Sequence, residues 1–255
     1  MGYNSRYFVN KDERAKQAKE HTERMGRLYE KEIKRSIVNS KIYDGYPAYE
    51  PLTISVVDED SVSAILNHNY GKTAVLNFAS FKNPGGMFLN GSKAQEECLC
   101  HESFLYNVLS ELQDFYDKNK TMLNKSLYQD RLIYSPDVLF ERDDKKVLCD
   151  VITCAAPNKT AAQKYCSVTD EQNYKALRER IEFVCAVLAD QHVETAILGA
   201  FGCGVFGQDA TEVAKLFQMS LENYPGNLKR VIFAIPGAMD KENLNAFKKV
   251  FAKGK

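Results

Sequence analysis

Residues 73–100 read TAVLNFASFKNPGGMFLNGSKAQEECLC, and the order of pieces in this stretch decides the fold. Thr73–Phe78 is a short apolar run ending near Asn77, the pattern of a buried strand. Asn83-Pro84-Gly85-Gly86 is a tight turn whose two glycines leave backbone N–H groups open to a close approach. Lys93–Leu112 then reads as a helix. Strand, glycine turn and helix in that order form the repeating unit of an α/β sheet. Ligands in such sheets bind in the loops after the carboxyl ends of the strands.

The same alternation continues on both sides. Leu52–Val57 is a strand candidate and Ser61–Leu66 has helical character. Arg131–Tyr134 and Val147–Thr153 read as strands, and Asp170–Ala189 is the clearest helix, with Leu177, Ile181, Val184, Val187 and Leu188 on one face. Thr195–Ala200 (strand), Ala210–Leu221 (helix), Arg230–Pro236 (strand) and Lys241–Phe251 (helix) complete the chain. Strands alternating with helices predict an α/β domain on a largely parallel, buried sheet. Before it, residues 11–38 are rich in Lys, Arg and Glu, and predict a solvated helix resting on a stripe of Met25, Leu28, Ile33 and Ile37. The proline-containing segment Tyr46–Pro51 breaks that helix from the rest. The expected division is a helical extension over 1–45 and a catalytic domain over 46–255.

Composition bounds the function. At 255 residues the length suits one large domain or one domain with an extension. Lys+Arg and Asp+Glu both number 34, so formal net charge is zero and indiscriminate binding to nucleic-acid backbone is not expected. No run of about 18 apolar residues is present, so no membrane span is expected, and the start has no apolar signal core. Seven cysteines in no framework spacing predict reduced thiols in a cytoplasmic protein.

Two stretches carry candidate chemistry. In the first, Gln95-Glu96-Glu97 follows the glycine turn. Neighbours on a helix point about 100° apart, so the two carboxylates take different roles: one holds a substrate hydroxyl, the other acts as acid or base. A helix N-terminus would lower their pKa values and burial would raise them. Helix capping is the plain structural reading of two first-turn acids. In the second stretch, Gly199–Gln208 (GAFGCGVFGQ), Gly202-x-Gly204-x-x-Gly207 matches the dinucleotide-binding fingerprint. Such a loop aims N–H groups and the N-terminus of the following helix at a diphosphate. The acid that should end the next strand is missing, which lowers the Rossmann reading. Cys98-x-Cys100-His101 lacks metal-site spacing and a second pair, so thiols without metal are expected. Cys203 has no local histidine partner to make it a nucleophile, and Asp58, Glu59 and Asp60 read as caps of the next helix.

At these two stretches the sequence resembles the bacterial-type poly(ADP-ribose) glycohydrolases of the macrodomain superfamily. The family's glycine triplet, spacer and Gln-Glu-Glu are matched by Gly85-Gly86-Met87, seven residues, and Gln95-Glu96-Glu97. Asn77-Phe78-Ala79-Ser80, Val151-Ile152-Thr153, Ala155-Ala156-Pro157-Asn158 and Gly199–Gln208 look like further family blocks, and the charged N-terminal helix looks like the accessory segment of these enzymes. The resemblance implies a three-layer α/β/α fold with a mixed central sheet and an ADP-ribose cleft. It implies that Asn83, Gly85, Gly86 and Gln95 belong to the substrate site. It places Gly202, Gly204, Val205, Phe206 and Gly207 in a second phosphate-binding loop, with Phe206 against the distal ribose. By the same likeness Glu96 hydrogen-bonds the sugar and Glu97 is the catalytic acid. No metal or cofactor is implied. The implied partners are ADP-ribose and poly(ADP-ribosyl)ated proteins, with nucleic acid only as an ADP-ribosylated acceptor; the mostly polar N-terminal helix offers no clear dimer seam, so a monomer is expected. Met87 departs from the triplet: if its position needs positive φ, the loop is strained or narrowed.

The expected function is hydrolysis of ribose–ribose bonds of poly(ADP-ribose), with release of ADP-ribose. Its rivals are a module that binds ADP-ribose without cleaving it, a hydrolase of mono-ADP-ribosyl linkages, and a nucleotide oxidoreductase resting on Gly202–Gly207 alone.

Overall fold

A computed structural model describes residues 10–43, 53–222 and 226–252. The break at Tyr46–Pro51, the division between 45 and 46, and Leu52 at the start of its strand lie outside the described residues.

Seven strands form one sheet in the order β1-β4-β5-β3-β6-β7-β2. These are β1 (Lys41–Tyr43), β2 (Thr53–Val57), β3 (Thr73–Phe78), β4 (Leu132–Arg142), β5 (Lys145–Cys154), β6 (Thr195–Leu198) and β7 (Arg230–Ala234). β3 is central, paired in parallel with β5 and β6, and the parallel run continues through β7 to β2. β4 and β1 add an antiparallel margin. The sheet is therefore mixed, as the resemblance implied, and the largely parallel sheet expected from alternation covers only part of it. The antiparallel margin arises at a two-residue turn, Asp143-Asp144, where Asp143 takes a left-handed conformation that Asp tolerates.

Side chains alternate along β3. Ala74 and Leu76 enter one core with α8 (Asp170–Asp190), α9 (Ala210–Glu222) and α10 (Lys241–Val250). Val75 enters the opposite core. That core is closed by α1 (Lys11–Leu28), α2 (Glu30–Asn39), α3 (Ser61–His68), α4 (Gln95–His101) and α5 (Leu105–Ser110). The result is three layers. Of two short helices, α6 (Gln113–Lys120) adds Phe115 and Tyr116 to that second core, and α7 (Lys159–Cys166) follows β5.

Two expected helices are broken. Residues 11–38 divide at Tyr29, and the buried positions are Ala18, Met25, Ile33 and Ser36, while Leu28 is 61% exposed. The break rotates the stripe off Leu28. Lys93–Leu112 divides at Glu102–Phe104, because Ser103 turns its hydroxyl to Leu99 O (2.7 Å) and accepts from Leu105 N (3.0 Å), which ends one helix and starts the next.

α1 packs on the turn that follows the glycine loop. Arg14 Nε donates to Gly91 O at 2.8 Å, and Asn107 Nδ2 donates to Thr22 O at 3.2 Å. Arg24 pairs with Glu141 at 2.7 Å. Gly91 has φ +74, and a Cβ there would collide with Lys11 O, so only glycine permits this approach.

Candidate active site

The site starts where β3 ends. Asn77 is fully buried and donates from Nδ2 to Glu96 Oε1 (3.1 Å) and Thr153 Oγ1 (3.2 Å). Ser80 N donates to Glu96 Oε2 at 2.7 Å. Glu96 is thus held at both oxygens while it is 3% exposed. Burial pushes its pKa up to about 8, and the nearby Glu97 charge adds to the rise; the N–H groups of Ser80 and Gly85 and the Asn77 amide oppose it. Of the two opposed influences weighed from sequence, burial prevails over the helix N-terminus.

Glu97 is differently held. Its Oε1 accepts from Met87 N at 2.9 Å. Its Oε2 is buried and has no hydrogen-bond partner among the described residues. An ungated acid oxygen beside a fully anchored neighbour separates the two carboxylates by environment, as their adjacent helix positions require.

The glycine turn brings these groups together. Gly85 and Gly86 have φ +62 and +61. A Cβ on Gly86 would lie 2.5 Å from Glu97 Oε1 and 3.0 Å from Glu96 Oε2; one on Gly85 would lie 2.6 Å from the Tyr106 ring. Met87 has φ −111 and is 47% exposed. The strain expected at Met87 does not occur: the left-handed requirement falls on the two glycines, and the Met87 side chain points out of the turn. Asn83 is exposed, with its N–H on Ser80 Oγ at 3.2 Å.

Gln95 works as a clamp. Its Oε1 accepts from Phe78 N (2.8 Å), and its Nε2 donates to Leu76 O (2.9 Å) and Ser61 Oγ (3.0 Å). It fixes the start of α4 against the end of β3 and the start of α3.

A cavity of about 320 Å³ opens beside α4. Its walls come from Asp60–Val62 after β2, Phe78 of β3, Ala156 after β5, Ala200–Gly202 and Gly204–Phe206 after β6, and Ala234–Pro236 at the end of β7. These are all carboxyl ends of parallel strands, where α/β sheets take ligands. Gln95, Cys98 and Leu99 face it at helical spacing, so Glu96 and Glu97 lie on the adjoining face of α4.

The second loop supplies donors. Gly202, Gly204, Val205 and Phe206 line the cavity, with Val205 86% exposed. The N–H groups of Gly204, Val205 and Phe206 make no hydrogen bond among the described residues. Gly207 has φ +72 and rests on Thr160, where a Cβ would collide. Asp209 caps the N-terminus of α9, its carboxylate accepting from Glu212 N at 2.8 Å. Burial pushes the Cys203 thiol up, away from nucleophilic use. Asp60 caps α3 through the Val62 and Ser63 N–H groups (2.9 and 3.0 Å), and pairs with Arg142 at 2.9 Å.

Residue reasoning missed Ser80, Phe81 and Tyr128. Phe81 and Tyr128 stack at 4.2 Å, and Tyr128 meets Phe206 edge-on at 6.3 Å, joining the two loops. A serine two residues past the end of β3 at Phe78 was the one local signal for Ser80; Tyr128 had none.

Residues 4–143 match the family model described as microbial-type PARG, catalytic domain. The chain belongs to this family. No curated protein matches it. Solved structures of microbial-type PARG proteins extend the likeness past the family match into the second loop. The poly(ADP-ribose) glycohydrolase of Thermomonospora curvata is 30% identical, with a TM-score of 0.83 over 94% of this chain and all of the other. The same enzyme bound to the inhibitor ADP-HPD gives 0.81 at 30% identity over the same shares. The Deinococcus radiodurans enzyme in complex with ADP-ribose gives 0.77 at 31% identity, over 86% of this chain and 97% of that one. Among the described residues no helix is long and apolar enough to cross a membrane.

Proposed function

We propose that this chain hydrolyses ribose–ribose glycosidic bonds of poly(ADP-ribose) and releases ADP-ribose. One observation carries the reading: Glu97 keeps one oxygen on the Met87 N–H and the other uncommitted, beside a Glu96 anchored at both oxygens. Family membership and the likeness to glycohydrolases bound to ADP-ribose and ADP-HPD support it.

In this reading the nucleotide half of the substrate occupies the cavity beside α4, with the diphosphate on the N–H groups of Gly204, Val205 and Phe206, and Phe206 against the distal ribose. Gly85 and Gly86 let the backbone close over that ribose. Glu96 receives its hydroxyl. Glu97 gives a proton to the departing ribose oxygen as the anomeric C–O bond breaks and its electron pair leaves with that oxygen. An oxocarbenium-like centre develops. Water then adds to the anomeric carbon and returns its proton to Glu97. A single carboxylate thus performs both transfers, unlike the usual glycosidase pair. The macrodomain assignment, a catalytic unit over 46–255, a cytoplasmic setting, a monomeric state and ADP-ribosylated proteins as partners belong to the same proposal.

The test is release of free ADP-ribose from poly(ADP-ribosyl)ated protein by the wild type and by Glu97→Gln. The expected loss is on the order of 10²- to 10⁴-fold with ADP-ribose binding retained. A fully active Glu97→Gln overturns the role of Glu97, and a wild type that binds ADP-ribose without releasing any from polymer overturns hydrolysis.

A further inference from the structure

Three charged residues line the cavity beside α4: Asp60, Lys93 and Asp240. Both acids are committed within the fold. Asp60 Oδ1 accepts from the Val62 and Ser63 N–H groups, Oδ2 accepts from Ser63 Oγ at 2.7 Å, and Arg142 donates to the two oxygens at 2.9 and 3.0 Å. Asp240 Oδ1 accepts from Asn243 N at 3.2 Å, and its Oδ2 accepts from the Asn243 amide. Lys93 differs from both. Its side chain is exposed and makes no ion pair and no hydrogen bond among the described residues. The uncommitted charge of this wall is therefore a cation.

The main chain that carries Lys93 is held on both sides. Before it, Ser92 N donates to Met87 O at 3.2 Å. Lys93 O itself accepts from Cys98 Sγ at 3.5 Å. Two residues on, Gln95 ties the start of α4 to Phe78 N, Leu76 O and Ser61 Oγ. The lysine thus rises from a fixed base, and its stem alone is free to move. A compact ammonium on a flexible stem attracts a charge without demanding one exact shape.

The remaining lining gives that charge its use. Phe78, Leu99, Ala156, Phe201 and Ile235 are apolar, and a charge against low-dielectric walls acts more strongly than one in open water. The same cavity is lined by Gly204, Val205 and Phe206, whose N–H groups make no hydrogen bond among the described residues. Two kinds of unused donor, neutral amides and one ammonium, therefore share a largely apolar space. A base or a sugar draws little from an ammonium, whereas a diphosphate answers both kinds of donor. We propose that Lys93 is a specificity-determining residue of this cavity: its ammonium pairs with the diphosphate held on the Gly204–Phe206 amides, so that the site selects a nucleoside diphosphate over the uncharged nucleoside. The inference rests on the nucleotide reading of the cavity and adds to it a charge contact from the α4 side.

Binding tests it without turnover. Affinities for adenosine, ADP and ADP-ribose are measured at low and high salt for the wild type, Lys93→Gln and Lys93→Arg. Lys93 is exposed and unpaired, so both variants should fold as the wild type does. The expected result is a loss of about tenfold for ADP and ADP-ribose in Lys93→Gln, with adenosine unchanged. The salt dependence of ADP binding should flatten in Lys93→Gln and stay in Lys93→Arg, which keeps the charge. ADP affinity and salt dependence that are the same in Lys93→Gln as in the wild type overturn the proposal. So does an equal loss for adenosine, which would make Lys93 a piece of the wall and not a charge contact. A wild type that binds none of the three ligands overturns the proposal together with the nucleotide reading of the cavity. A wild type that shows the charge contact but releases no ADP-ribose from polymer overturns hydrolysis and supports the role of Lys93.

Discussion

The backbone N–H of Met87 donates to Glu97 Oε1 at 2.9 Å while the Met87 side chain stands 47% exposed outside the turn. The residue that departs from the glycine triplet thus holds the proposed catalytic carboxylate through its main chain. Its side chain is free of that duty.

This separates Met87 from its neighbour Gly86. Met87→Gly keeps the N–H and a permitted backbone, so activity should stay within a few-fold of wild type. Gly86→Ala puts a methyl 2.5 Å from Glu97 Oε1 at φ +61. The left-handed conformation alone costs about 1–2 kcal/mol. Displacing both carboxylates should cut turnover on the order of 10²-fold. Steady-state rates on polymer for the two variants check the contrast. A severe defect in Met87→Gly with a mild one in Gly86→Ala would reverse it.

Glu96 gives the fold a pH dependence of known sign. Its folded pKa of about 8 lies above its ordinary value of 4.5, so between those values the folded chain keeps a proton that the unfolded chain has released. Its contribution is fully present below pH 4.5 and declines as pH rises through about 8, by up to ~1.4 kcal/mol per pH unit. Glu96→Gln lacks this slope. The Tm of the variant minus that of the wild type should therefore be larger at pH 8.5 than at pH 5, and a difference independent of pH would contradict the assignment.

Arg14 braces the turn that carries Met87. Arg14→Ala removes the 2.8 Å bond to Gly91 O without touching the cavity beside α4. The expected effect is a kcat several-fold lower with KM unchanged, because the loop that holds Glu97 loosens while the nucleotide walls stay. A rise in KM alone would place Arg14 in binding instead.

Gln95 is tested by stability rather than rate. Gln95→Ala leaves Phe78 N and Leu76 O without their partners and should cost about 1–3 kcal/mol in denaturant unfolding. ADP-ribose affinity should fall less than unfolding free energy predicts if the clamp reading is right.

Much of this was legible in the residues. Thr73–Phe78 is a strand as read, because a six-residue apolar run between polar turns has little else to be. Gln95-Glu96-Glu97 was visible as a candidate from its distance to the glycines. What failed was locally invisible. Ser103 divides a helix by hydroxyl bonds that Ser makes equally well on a surface. Pro136 sits within β4 at a register shift between Ser135 and Val138, so the strand expected to stop at Tyr134 continues to Arg142. The Asp209 cap on α9 was not read from the sequence either. The aromatic wall of Phe81, Tyr128 and Phe206 joins residues from three distant segments, and no spacing rule links them.

The contacts of α1 also set an order of assembly. Arg14 waits for Gly91, Thr22 for Asn107, and Arg24 for Glu141, a separation of 117 residues. At a synthesis rate of about 5–20 residues per second, the first helix emerges roughly 6 to 23 s before its last partner exists. During that interval its narrow apolar stripe gains its neighbours only step by step, as residues 62–109 emerge. The loop that orients Glu97 can only tighten late, once chain from both sides of it has been made, and the centre of the molecule is finished by its beginning.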